Sequence, residues 1–97
     1  MAQVVYSRRS LAQIEQALEI LRHRNPAAAP SAVSAIQSAV DTLAVHPLVG
    51  RRLEGELREL VISYGQTGYL GLYRFVVSGD EVRLLALRHQ REVGFLP

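Results

Sequence analysis

Arg58, Arg74, His89 and Arg91, with Tyr73 and Glu92 beside them, are the side chains through which this chain of 97 residues could do chemistry. Arginines hold a scissile phosphate, and a histidine or glutamate moves a proton, so the set has the residue types for metal-free RNA cleavage. The same side chains, joined by Arg88, suit protein recognition equally well, with arginines as charge-assisted donors and Tyr73 as an aromatic contact. A plainer alternative puts Arg58 and Glu59 at exposed strand positions and makes Arg88 to Glu92 a solvated strand end. Their spacing alone fixes no active-site geometry.

Other chemistries fall away. There is no cysteine, which excludes disulfides, thiol nucleophiles and cysteine-ligated zinc. His23, His46 and His89 show no ligand spacing with one another or with acids, so neither a metal nor a cofactor is expected. No serine sits in a nucleophile elbow, and the glycines of 50–55 and 65–68 match no phosphate-binding loop. All eleven basic residues are arginine, yet the formal net charge is only +2. Residues 1–50 carry four arginines against three acids and residues 51–97 seven against six, too even a balance for a protein that tracks phosphates. Arginine pairs carboxylates bidentately, so acidic protein partners fit at least as well as nucleic acid. No apolar run approaches the roughly 18 residues of a membrane span, and cytoplasm is the expected compartment.

The elements that must position these residues follow from periodicity. A short strand, Gln3 to Tyr6, stops at Ser7, which can cap a helix carrying Leu11, Ile14, Leu18 and Leu21 on one face and ending near Arg24. Asn25-Pro26 reads as the cap of a second helix with Val33, Ile36, Val40 and Leu43 on its apolar face. Pro30 implies a first turn or kink before a main body from about Ser31. That body ends by His46-Pro47, and the short connection predicts an antiparallel helical hairpin. Residues 48–55 read as a loop with a solvated basic pair, Arg51-Arg52. Strands then follow at 57–64, 68–77 and 81–88, joined by turns at 65–67 and 78–80. The expectation is one α+β domain over residues 1–97, ordered β-α-α-β-β-β. In its middle strand Tyr69, Gly71, Tyr73, Phe75 and Val77 alternate with Leu70, Leu72, Arg74 and Val76. Both faces are largely apolar, and two helices cover one, which leaves the other for a partner.

Taken in order, Tyr6-Ser7, Asn25-Pro26, Leu43 with His46-Pro47-Leu48-Val49-Gly50-Arg51, Leu57-Arg58-Glu59-Leu60, Gly68-Tyr69, Tyr73-Arg74 and Val82 to Glu92 resemble the RelE/ParE superfamily of toxins from bacterial type II toxin-antitoxin modules. The resemblance spans nearly the whole chain. It implies a helical hairpin packed on a small curved antiparallel sheet, with the first strand added at an edge. It also implies an antitoxin that wraps the toxin in a hetero-oligomer. ParE-like members poison DNA gyrase, whereas RelE-like members cleave mRNA on the ribosome with a basic cluster and often a tyrosine near the C-terminus. This chain has no lysine and ends Gly94-Phe95-Leu96-Pro97, which favours the ParE-like branch. The alternatives are a ribosome-dependent endoribonuclease, with Arg58, Arg74 and Arg91 on phosphate and His89 as acid or base, and an inactive antitoxin-binding module. On the favoured reading Arg58, Tyr73, Arg74, Arg88, His89, Arg91 and Glu92 meet target or antitoxin.

Overall fold

At Ser7 the chain leaves its first strand and enters its first helix. The Ser7 hydroxyl accepts from Ser10 N at 3.0 Å and donates to Leu85 O at 3.0 Å. One side chain thus satisfies an orphan donor of the first helical turn and a carbonyl of the last strand. The structure is a computed structural model and describes residues 1–64 and 67–91. Its elements are β1 (Gln3–Tyr6), α1 (Arg8–Arg24), a 3₁₀ turn (Pro26–Ala28), α2 (Ala29–Val45), β2 (Arg51–Arg52), β3 (Leu57–Tyr64), β4 (Thr67–Val76), a second 3₁₀ turn (Val77–Gly79) and β5 (Glu81–His89).

The sheet is ordered β1-β5-β4-β3-β2. The α+β expectation holds, with two amendments. β1 runs parallel to β5, Gln3 facing Glu81 and Tyr6 facing Leu84, so the sheet is mixed rather than antiparallel. The long connection through the helices makes a parallel pair possible, and this orientation delivers Ser7 to Leu85. Arg51-Arg52, expected in a loop, instead pairs with Arg58 and Glu59 as a two-residue edge strand.

Both helices lie on one face. Ile36, Val40 and Leu43 of α2 pack with Leu60, Ile62, Tyr69, Tyr73, Val82, Leu84 and Leu87, while Ile14 and Ala17 of α1 and Val4 and Tyr6 of β1 close the periphery. The helix faces are rotated slightly from the expected ones. Leu11 is 52% and Val33 37% exposed, and their buried places are taken by Ser10 and Ala32. Small side chains let helix and sheet approach closely, and Ser10 is satisfied by donating to Ser7 O at 2.8 Å. Asn25 does not cap α2 with its side chain. Its backbone N–H instead closes α1 by donating to Leu21 O at 2.7 Å. A turn at Pro26–Ala28 does precede the body of α2, which starts at Ala29.

Between Leu72 and Tyr73 the register with β5 slips by one residue: Leu72 faces Ala86 and Tyr73 faces Leu84. Leu85 is the extra residue of this β-bulge, and its carbonyl is the one that Ser7 takes. Gln13 of α1 serves the same irregular stretch, its side-chain carbonyl accepting from Leu87 N at 2.8 Å. The β4–β5 turn ends in Asp80, at φ 46°, a left-handed position that aspartate tolerates. The expected 65–67 turn falls partly, and Glu92 wholly, outside the described residues.

Candidate functional site

Strand alternation divides the candidate residues between two faces of the sheet. On the helix side, Tyr73 and Arg58 stand opposite one another across β4 and β3. Tyr73, fully buried, donates its hydroxyl to Pro47 O at 2.8 Å and accepts from Gly50 N at 2.8 Å. Arg58 donates to Leu48 O at 3.0 Å and to Gly50 O at 2.9 Å. The two side chains therefore clamp the 47–50 loop to the sheet. Gly50 is what lets them: a Cβ there would lie 2.6 Å from the Tyr73 ring and 2.9 Å from Glu59 O. From sequence, both residues read as recognition groups, because the carbonyls they serve leave no trace in residue types.

The opposite face carries arginines among apolar side chains. Arg74 lies across from Leu57 on β3 and from Arg83 on β5, with Leu72 and Val76 beside it on its own strand. Arg83 is paired to Glu81. Glu59 stands between Arg51 at 3.2 Å and Arg88 at 4.0 Å, and both Glu59 and Arg88 are largely buried. Four arginines thus share this face with two glutamates. Arg74 and Arg83 are direct cross-strand neighbours, and two like charges so placed favour an anionic partner. Arg51, Glu59 and Arg83 were not among the expected site residues. The signal for them was available, since a hairpin register that aligns Glu59 with Leu72 and Leu72 with Ala86 puts them on the arginine face.

His89 and Arg91 lie at the far end of β5. The His89 ring meets Tyr69 edge to face, centroids 5.6 Å apart, and its Nδ1 accepts from Arg91 N at 3.1 Å. They border a groove of about 660 Å³ between α1 and the ends of β4 and β5, with Arg24, Tyr64, Tyr69 and Ile20 on its walls. The described walls contain no acid.

The four residues proposed for phosphate chemistry do not converge. His89 faces Tyr69, and from Tyr69 to Arg74 is ~17 Å along the strand at ~3.3 Å per residue. Arg58 sits on the other face from Arg74 and donates to the loop. Among the described residues no three His, Asp or Glu side chains gather as a metal would need.

Three tyrosines of this region share a pH signature. Burial pushes the Tyr6, Tyr69 and Tyr73 hydroxyls above the ordinary value of 10.0; the Asp41 charge adds to this at Tyr6, and the Gly50 N–H bond and Arg58 charge oppose it at Tyr73. The folded chain therefore holds these protons more tightly than the unfolded chain. The stability so contributed is whole below pH 10 and is lost as pH rises through the folded values. Urea unfolding at pH 8 and pH 11 checks this, with a lower midpoint expected at pH 11.

The chain has relatives along nearly its full length. Residues 4–94 match the family described as "ParE toxin of type II toxin-antitoxin system, parDE". Toxin RelE3 of Caulobacter vibrioides is 40% identical over 72 residues, which is 74% of this chain and 76% of that toxin. Toxin RelE2 of the same organism is 32% identical over 89 residues, 92% of this chain and 96% of that toxin. No described helix is long and apolar enough to cross a membrane. Membership of a type II system implies a protein antitoxin as partner. The helical hairpin on a mixed sheet, the order of its motifs and the match over residues 4–94 agree: the chain belongs to the ParE toxin family of type II toxin-antitoxin systems.

Proposed function

We propose that this toxin acts in the cytoplasm by inhibiting DNA gyrase, as one domain over residues 1–97, and that its antitoxin neutralises it in a hetero-oligomeric complex. The observation that carries this reading is the dispersal of the would-be nuclease residues. Arg58 is committed to Leu48 O and Gly50 O, Arg74 lies on the opposite face, and His89 and Arg91 lie ~17 Å along the sheet. An in-line attack on phosphate needs its acid, base and anion donors within hydrogen-bond reach of one group. A binding toxin has no such requirement. The arginine face, with Arg74 and Arg88 among apolar neighbours, suits an acidic and partly apolar antitoxin segment.

Titrating the purified protein into ATP-dependent supercoiling of relaxed plasmid by gyrase tests the reading. Lost supercoiling at stoichiometric toxin, relieved by antitoxin, is the expected result. A folded preparation that arrests growth yet leaves supercoiling untouched overturns it. The RelE name of two relatives favours a second reading, a ribosome-dependent endoribonuclease with His89 and Arg91 nearest the chemistry. New codon-linked mRNA ends after induction would establish it.

A further inference from the structure

Next to the Tyr73 and Arg58 clamp lies a surface that neither the fold nor the arginine face uses. Val45, Leu48 and Val49 are 57%, 58% and 59% exposed. Together with His46 and Pro47 they line a shallow, open depression of about 550 Å³. Scattered exposed apolar side chains are ordinary on any protein. These three line one depression, and the loop that carries Leu48 and Val49 is tied to the sheet by side-chain hydrogen bonds. Pro47 O, Leu48 O, Gly50 O and Gly50 N are all bonded to the two sheet side chains, and Val49 N closes the turn on His46 O at 3.2 Å.

An apolar patch on a pre-ordered backbone has the properties of a binding hot spot, because its conformational entropy is spent in folding and not at association. Charge indicates what it meets. Arg52, exposed on the edge strand β2, shares the helix side with Arg58 and the 47–50 loop, whereas Arg51 belongs to the arginine face. Arg52 lends one nitrogen to Gly55 O, which leaves further donors of its fork for a partner.

We infer that the Val45–Val49 patch is the surface by which the toxin grips its target protein, receiving an apolar protrusion beside a carboxylate that Arg52 meets. The inference rests on the reading of this protein as a target-binding toxin, and assigns the target to the end of the molecule where β2 and the 47–50 loop lie. The antitoxin then has the arginine face. Separate surfaces predict that the two partners can be uncoupled by mutation.

Leu48→Asp and Val49→Asp in the full chain provide the test. Both side chains lie outside the core, so the thermal midpoint is expected to stay at the wild-type value, with Leu48→Ser substituting if aspartate lowers it. Growth arrest on induction should be lost. Half-inhibition of gyrase should need at least ~30-fold more protein, since aspartate puts a carboxylate into an apolar contact that already lies beside one. Capture by the antitoxin should be unchanged. Arg52→Glu should slow association about threefold and weaken its salt dependence.

Variants that arrest growth as the wild type does overturn the inference. Loss of antitoxin capture assigns the patch to the antitoxin and overturns it too. So does a wild-type dimer in sedimentation equilibrium that Leu48→Asp makes monomeric while arrest persists, which assigns the patch to a second copy. A wild-type chain that arrests no growth overturns both the inference and the toxin reading. Failure of the gyrase reading alone looks different: wild-type protein leaves supercoiling untouched, yet Leu48→Asp still abolishes arrest, and the patch then belongs to another target.

Discussion

Gly50→Ala is expected to destabilise the fold by about 3 kcal/mol, read as a lowered urea midpoint with unchanged slope. The new methyl would stand 2.6 Å from Tyr73 Cε1, 2.7 Å from its hydroxyl oxygen and 2.9 Å from Glu59 O. All three are closer than van der Waals contact. The Tyr73 ring is fully buried and Glu59 O belongs to a paired strand, so neither can yield cheaply. Moving the loop away instead breaks the Gly50 N to Tyr73 bond and strands a buried hydroxyl, a loss of ~1–3 kcal/mol. Gly55 gives the opposite control: no atom lies within 4 Å of its would-be Cβ, and only its φ of +62° opposes substitution. A Gly50→Ala protein with wild-type stability would show that the loop shifts freely and would remove the clamp from the account.

Tyr73→Ala is expected to cost more, ~3–5 kcal/mol, against the ~5–15 kcal/mol that stabilises a typical domain. Tyr73 is the largest fully buried side chain of the described core; it belongs to the cluster that holds Ile36, Val40 and Leu43 of α2, and its hydroxyl reaches the 47–50 loop. Tyr73→Phe separates the two roles. It keeps the ring, leaves Gly50 N and Pro47 O without a partner, and should cost ~1–3 kcal/mol. Combined with Gly50→Ala, it should cost less than the sum, because both changes break one bond. If Phe were neutral, the hydroxyl would not be a staple, and the rigidity argued for the Val45–Val49 patch would lose its basis.

Much of this architecture was legible because it is periodic. β3 was placed at its observed limits, β4 and β5 to within a residue, and α1 stopped at Arg24 as expected. What escaped was whatever depends on groups without a sequence signature. β2 is two arginines long, too short for alternation to register. The direction of β1 is invisible in Gln3-Val4-Val5-Tyr6, since a strand with one buried face reads the same in either sense. Leu11 and Val33 were assigned inward by size, whereas close helix–sheet approach selected Ser10 and Ala32. The unbroken run Leu84-Leu85-Ala86-Leu87 did depart from period two, and that departure marks the bulge. Among the candidate site residues, Arg74 was read on an apolar strand face and lies on one, whereas Arg88, read at a polar strand end, is largely buried beside Glu59. Arg58 and Tyr73 serve backbone atoms of a loop, and nothing in the residue types of that loop announces it.

The pairing of β1 with β5 also sets when this protein can come into being. β1 must wait for β5, because Val4 has no sheet neighbour until Val82 arrives beside it. The contacts of Ser7 with Leu85 and of Gln13 with Leu87 likewise join residues 78 and 74 positions apart. Contacts this distant in sequence slow folding, since the loop must close before any of them stabilises it. A nascent chain stalled before β5 therefore holds helices without the strand on which α1 packs. The arginine face is bound by the same order, since Arg83 and Arg88 belong to β5 and stand beside Arg74 and Glu59 only after that strand has been made.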